Sequence, residues 1–422
     1  MTGLRRNRPE RVAVLGAGVA GLSTAWFLQE FGVSVSVFER GEPGSGSSRG
    51  NAGWLVPGLV EPLPSPGVLK SVVPAMLRRS APLRIPLVPD FALWRFLAGS
   101  AQHCTSTRWR RSMASLAGLT PMAFAAFDIL RASGVDVAAR DASPFLACFR
   151  LASDCSAMAT ELEHIRAAGQ PVESTTISGN EARAFEPCLS EAVTAAIAVT
   201  GQQFLDPMDF VSALASSVDD RGATFRIGEE VTSVEDRGDH VVVSTDGGGA
   251  SFDAAVLATG AWLSRLAKPL GVRIPVHAGR GYSFGIDVTP APTHPLYFPT
   301  QRVACTPVGG RLRVAGMMEF RDADAPFDAR RSVALARAAA PMLTGVDVSV
   351  RHDEWVGSRP CTADGLPLIG ATRSPRVFAC GGHGMWGMVL GPVSGRLLAE
   401  LVTTGEAAAA LGPFDPARGR AA

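Results

Sequence analysis

The stretch from Arg11 to Arg40 limits what this chain can fold into more than any other. Residues 11–15 are apolar after the first arginine, residues 16–21 read Gly16-Ala17-Gly18-Val19-Ala20-Gly21, and helical spacing follows to Gly32. Residues 33–38 then alternate, and the run closes on Glu39 and Arg40. This is the pattern of strand, tight turn, helix and second strand that holds a dinucleotide. Gly16 permits the turn, Gly18 lets backbone approach a pyrophosphate, and Gly21 lets helix and strand pack closely. The helix start supplies free N–H groups and a partial positive charge for the phosphates. Glu39 falls roughly twenty residues beyond the glycines, where a carboxylate accepts from ribose hydroxyls. A membrane span competes, because residues 12–29 carry no charge. Glycines at turn and packing positions argue against it.

At 422 residues the chain can bury a large core, and two domains are expected. Its 40 basic and 39 acidic residues leave a net charge of +1, so no nucleic-acid footprint is visible. Seven cysteines are scattered without a C-x-x-C pair, which suggests neither a metal site nor a disulfide framework and fits a reducing, cytoplasmic setting. Arg5, Arg6 and Arg8 make a short basic lead, and the Ala-rich end after Gly405 reads as a tail.

Beyond Arg40, residues 41–53 form a polar, glycine-rich loop whose hydroxyls and amides suit an oxyanion, although a plain surface loop reads the same way. Eight prolines between 57 and 89 exclude one long helix there. Helices are expected over 91–101, 110–133, 154–168 and 207–219, the last with Asp206 as cap and Pro207 in the first turn. Strands are expected at 145–151, 224–227, 231–235, 241–244 and 251–258. The last is apolar throughout over 254–258, which predicts burial on both faces beside residues 12–15. Further strands are expected at 281–286, 311–315, 348–351 and 377–379, with a helix over 330–341. The loop 380–387 then feeds a helix to Val402 with Pro392 in or near its first turn, a second anion-ready helix start. Residues 69–79 and 84–96 mix apolar side chains with Arg78, Arg79, Arg84 and Arg95; a buried lobe edge is the preferred reading, a peripheral contact with a membrane's inner face the competing one.

Four separated motifs agree with one family: Gly16-x-Gly18-x-x-Gly21 with Glu39; Ser48-Arg49-Gly50-Asn51-Ala52-Gly53; Leu257-Ala258-Thr259-Gly260-Ala261-Trp262; and the block from Gly357 to Gly395, which carries G-x-R-P-x-T-x-D-G-x-P-x-I-G and then G-G-H-G. On these, with Arg280-Gly281-Tyr282 and residues 310–314, the chain resembles the FAD-dependent D-amino-acid oxidase superfamily, and most closely its D-amino-acid dehydrogenase branch. The resemblance runs from about Arg11 to Val402, with little of it between 106 and 204.

That resemblance implies an α/β fold: a Rossmann-type FAD-binding domain, doubly wound with a small antiparallel meander, and an inserted α+β substrate domain on a mixed or antiparallel sheet. The expected division is 1–85, 204–265 and 352–422 for FAD, and 86–203 and 266–351 for substrate. It implies non-covalent FAD held by Gly16, Ala17, Gly18, Val19, Ala20, Gly21, Glu39, Arg40, Ser47, Ser48, Asn51, Ala52, Gly53, Trp54, Val231, Thr259, Gly260, Trp262, Gly382, His383, Gly384, Trp386, Gly387 and Met388. Arg359 is expected to grip a substrate α-carboxylate through its planar fork; pairing with Asp364 is the structural alternative. Tyr282 is a second candidate for the chemistry, as much core as function. Trp54, Arg280, Met385 and Trp386 are expected to line the pocket. His383 reads as a structural or flavin-contact histidine more than a base. A glycine-oxidase tyrosine and arginine have no counterpart at residues 302–304 and at Met385, which argues against simple glycine oxidation. The implied reaction passes a hydride from the Cα of an amino acid to flavin N5, giving an imine or 2-oxo acid, with oxygen or a membrane quinone carrier as onward acceptor. Flavin monooxygenation and a non-catalytic FAD-binding subunit are the alternatives.

Overall fold

The computed structural model describes residues 8–69, 76, 81–170 and 172–418. Arg5, Arg6, Arg78 and Arg79 lie outside the described residues.

The opening unit forms as its pattern demands. Arg11–Leu15 sits at the middle of a six-stranded sheet, flanked by Ser34–Glu39 and Ala254–Leu257. Both neighbours run parallel to it, with Val12 opposite Val35 on one side and Ala254 on the other. Thr224–Ile227 and Val377–Gly381 extend the parallel set, and Leu368–Ala371 closes one edge antiparallel. The wholly apolar Ala254–Leu257 is buried along its length, as a strand covered on both faces must be. One face packs the helix Val19–Glu30 beside the helix Gly387–Thr404. Their close approach requires glycine: a Cβ at Gly391 would stand 2.2 Å from Val19 Cγ1, and one at Gly395 2.7 Å from the Thr24 nitrogen. The other face is covered by a meander of Val231–Asp236, Val241–Thr245 and Gly248–Phe252.

The second lobe is a nine-stranded, largely antiparallel sheet ordered His352–Thr362, Val276–Ile286, Arg311–Phe320, Val303–Val308, Leu296–Phe298, Phe145–Phe149, Ala195–Thr200, Glu173–Ser178, with Leu83–Arg84 beside Arg311–Phe320. Asp206 caps the helix Pro207–Asp220 as expected, its Oδ1 accepting from the Met208 nitrogen at 2.9 Å.

Several expectations shift. The helix expected over 110–133 is two, Ser106–Ala117 and Ala123–Ala132, parted by a 3-10 turn at Pro121, where proline removes a helical donor. Ser106–Ala132 is the only run among the described residues long and apolar enough to cross a membrane, yet it is broken here and buries Leu116, Phe127 and Leu130 in the core. The strand expected over 251–258 divides at Asp253, with one part in the meander and the other in the parallel sheet. Residues 348–351 are irregular, because Asp347 Oδ1 accepts from the Ser349 nitrogen at 2.9 Å and turns the chain; the strand starts at His352. Pro392 lies one turn further into its helix than expected.

Phe127 packs in the first core, 5.4 Å from Phe210 ring to ring, and His352–Thr362 pairs along Val276–Ile286 in the second sheet. The buried lobe edge expected at 84–96 is open in part, with Leu87 65% and Phe91 82% exposed.

Candidate functional site

The site begins where the first turn, residues 47–51, the start of the 3-10 turn Gly260–Trp262 and the Gly387–Thr404 helix start converge. Gly16 has φ +107°, and a Cβ there would stand 2.5 Å from the Ala258 carbonyl oxygen; at Gly21 it would stand 1.9 Å from that of Gly16. No side chain fits at either position. Ser48 Oγ accepts from the Val19 nitrogen at 3.2 Å. The two oxygens of Glu39 accept from the Ala17 and Gly41 nitrogens, each at 2.9 Å, and each retains lone-pair capacity for a hydroxyl.

A narrow crevice of ≈ 70 Å³ is lined by Gly18, Val19, Ala20, Ser47, Ser48, Asn51, Gly260, Arg359, His383, Gly384, Gly387 and Met388. Residues more than 300 positions apart in sequence therefore share one wall. Thr259 Oγ1 is buried with no partner among the described residues, the kind of orphan a bound group satisfies. Ala52 and Gly53 hold the loop: Thr306 Oγ1 donates to the Ala52 carbonyl at 2.7 Å, and the Gly53 nitrogen donates to Asn51 Oδ1 at 2.8 Å. Arg40 lies 3.9 Å over the Trp262 ring, and both reach Asp324 of the second lobe. These two residues join the lobes beside Glu39. Val231 opens the meander next to Glu230, which pairs with Arg40 at 3.6 Å.

His383 is buried, and Nε2 lies 2.9 Å from Ser394 Oγ on the Gly387–Thr404 helix. Burial pushes its imidazole down to about 4, so it is neutral at physiological pH and serves to seat the loop 382–387. Gly382 has φ +75° on the same loop. The unfolded imidazole takes its proton near 6.5 and the folded one only near 4, so the unfolded state binds more protons between those values and stability falls as pH is lowered through that window. The loss should approach about 3 kcal/mol by pH 4. Denaturant melts from pH 8 to 4 check this: replacing His383 with Asn should flatten that part of the profile, and an equally steep profile would assign it elsewhere.

Arg359 lines both the crevice and a far larger cavity of ≈ 1690 Å³. Its Nη1 donates to the Met317 carbonyl at 2.7 Å, and the guanidinium lies flat on Gly281, where a Cβ would stand 2.1 Å from Nη2. Met317 adopts φ +62° in a local irregularity of its strand, which turns that carbonyl to the arginine. No carboxylate pairs with Arg359 among the described residues. Asp364, the structural alternative, instead binds Arg418 at 2.8 Å. Burial lowers the pKa of the Arg359 guanidinium, the mark of a charge held without a counter-ion.

Tyr282 and Arg280 do not join it. Gly279 lies opposite Arg359 and shares its face with Gly281, so the even positions point away. Tyr282 is 1% exposed and donates to Glu319 Oε2 at 2.9 Å; Arg280 donates to the Ala325 and Pro326 carbonyls. Both are core groups behind the wall.

Trp54, Met385 and Trp386 do face the large cavity. Trp54 Nε1 donates to Thr306 Oγ1 at 2.9 Å, and Trp386 Nε1 donates to the Glu61 carbonyl at 2.7 Å. Sequence reasoning missed Trp355, Glu61, Tyr297 and Met317. Trp355 had a signal: its indole lies between Gly50 and Gly357, where a Cβ would stand 1.9 and 1.7 Å from the ring, and both glycines belong to motifs read from sequence.

A family model described as FAD dependent oxidoreductase matches residues 11–401. Among solved structures, glycine oxidase from Geobacillus kaustophilus superposes with a TM-score of 0.74 at 24% identity, covering 98% of this chain and 99% of that one. L-proline dehydrogenase from P. horikoshii gives 0.69 at 17%, covering 98% of each chain. The dithionite-reduced L-α-glycerophosphate oxidase from Mycoplasma pneumoniae, with FAD bound, gives 0.68 at 16%, covering 94% of each.

Proposed function

From its place in the family of FAD-dependent oxidoreductases, to which this chain belongs, we propose that it oxidises the C–N bond of an amino acid. Its cofactor is FAD, and the crevice suits that group through the side-chain-free turn at Gly16 and Gly21, with the unpartnered Thr259 hydroxyl next in the chain to the lining residues Ala258 and Gly260. The observation that carries the proposal is the unpaired Arg359 guanidinium, common to the crevice and the cavity.

A carboxylate entering the cavity replaces the missing counter-ion of Arg359 and accepts two parallel N–H bonds, which fixes Cα in space. Met317 and Gly281 hold the guanidinium plane, so the substrate meets an oriented fork and loses less freedom on binding. Trp54, Trp355 and Met385 keep water from the reacting carbon. When bound, FAD supplies the acceptor for the hydride that leaves Cα. No side chain is required as base when the amine is neutral; the resulting imine hydrolyses in water to a 2-oxo acid and ammonia. Oxygen or a membrane quinone carrier would take the electrons onward.

Anaerobic addition of D- and L-amino acids and cyclic imino acids should bleach the flavin absorbance of the holoenzyme. Bleaching by a 2-hydroxy acid or a polyol phosphate, with none by any amine, would move the reaction to C–O bonds. NADPH consumption would move it to monooxygenation.

A further inference from the structure

The large cavity has a second polar pole besides Arg359. Glu61, near the start of the proline-rich stretch, meets Glu161 of the helix Ala152–Ala167. Tyr297 of the Leu296–Phe298 strand accepts from Arg302, which also faces both glutamates. All four line the cavity. Glu61 Oε2 is buried with no donor from any described residue. A neighbouring carboxylate can partner it only by sharing a proton.

We infer that Glu61, Glu161, Arg302 and Tyr297 form a distal subsite that selects amino acids whose side chain ends in a cation, an ammonium or a guanidinium. The inference rests on the proposed role of Arg359 at the other end of the same substrate. Its argument is charge. Two carboxyls face one guanidinium, so full ionisation leaves a surplus negative charge on apolar surroundings that include Trp54 and Trp386. The structure meets this with a proton: burial first, and the Glu161 charge second, push Glu61 up to about 8. A ligand cation in place of that proton would satisfy Glu61 Oε2 and neutralise the surplus. A second ligand carboxylate would face two acids instead, and Arg302 is already engaged by Tyr297. Among the described residues, the other ionisable groups on this wall are Asp154 and His164 of the same helix and Arg110 of Ser106–Ala117; Asp154 already accepts from Thr300 at 3.1 Å.

Calorimetric titration of the holoenzyme at pH 7 with D- and L-lysine, norleucine and 2-aminoadipate, in two buffers of different ionisation enthalpy, tests this. Lysine of the productive hand should bind roughly tenfold to a hundredfold more tightly than norleucine, which lacks only the ammonium. It should release close to one proton to the buffer, the one held on Glu61. Glu61→Gln should abolish both the preference and the release. Glu161→Gln, on an exposed helix position that tolerates substitution, should weaken the preference with the fold intact. Equal affinity for norleucine, or tighter binding of 2-aminoadipate, would overturn the subsite, as would a failure of all these probes to bind. Lysine binding with proton release but no bleaching would retain the subsite and refute amine oxidation, so the two readings fail separately.

Discussion

Replacing Arg359 with leucine should raise KM for the amino-acid substrate by two to three orders of magnitude while the protein keeps its flavin. Removing one partner of a buried, charge-assisted pair costs about 3–4 kcal/mol, which corresponds to roughly that ratio. The loss should fall mainly on KM, with a smaller drop in kcat, because the guanidinium supplies affinity first and orientation second. Arg359→Lys should recover only part of it. An ammonium keeps the charge but loses the planar fork that Met317 O and Gly281 hold in place. The flavin should stay bound in both variants if, as proposed, the grip on the cofactor lies with the glycine turn, Ser48 and the loop at His383. Steady-state kinetics with flavin content measured in parallel check this. An unchanged KM would remove Arg359 as the anchor.

The second large effect is on the cofactor itself. Gly21→Val should purify colourless and refuse added FAD, because a Cβ there would stand 1.9 Å from the Gly16 carbonyl oxygen. That oxygen is backbone, so the turn must open, and with it the helix start proposed to hold the pyrophosphate. Gly18→Ala is the control. Its Cβ would meet only Ser48 Oγ, at 3.4 Å, an ordinary contact; that variant should fold and bind FAD more weakly. Flavin absorbance per mole of protein, with circular dichroism to confirm folding, separates the two. Normal flavin content in Gly21→Val would mean that the cofactor sits elsewhere.

Much of the crevice was legible because its signals are local. A glycine that must lack a side chain, a hydroxyl after a strand, or an acid at a strand end declares its role within a few residues. Gly18 and Ser48 could be picked out from neighbours in the chain, Gly260 and His383 from the family resemblance, and the fold brings all four to one crevice. On the cavity side Arg359, Trp54, Met385 and Trp386 lie where the sequence reading put them, and Tyr282 and Arg280 do not. Tyr282 and Arg280 sit in the same familiar run as Gly281, yet strand parity sends them into the core and leaves the glycine facing Arg359. One residue of register decides between a pocket hydroxyl and a buried one. The same limit applies to the boundary at His352, where the chain gives no local sign of which sheet the next strand joins.

The amino-acid sequence alone determined that this chain builds a parallel-sheet dinucleotide unit, since strand, glycine turn and helix follow from residue chemistry at short spacing; the expectation that Arg359 meets a carboxylate came from the family resemblance. Only the tertiary structure decided that Arg359 has no counter-ion among the described residues, that Trp355 lies between two glycines, and that Glu61, Glu161 and Arg302 line one cavity together. The physical reason is that charge pairing and burial depend on which strands and helices become neighbours. For Glu61 and Arg302, more than two hundred residues apart, that is a property of the packed molecule.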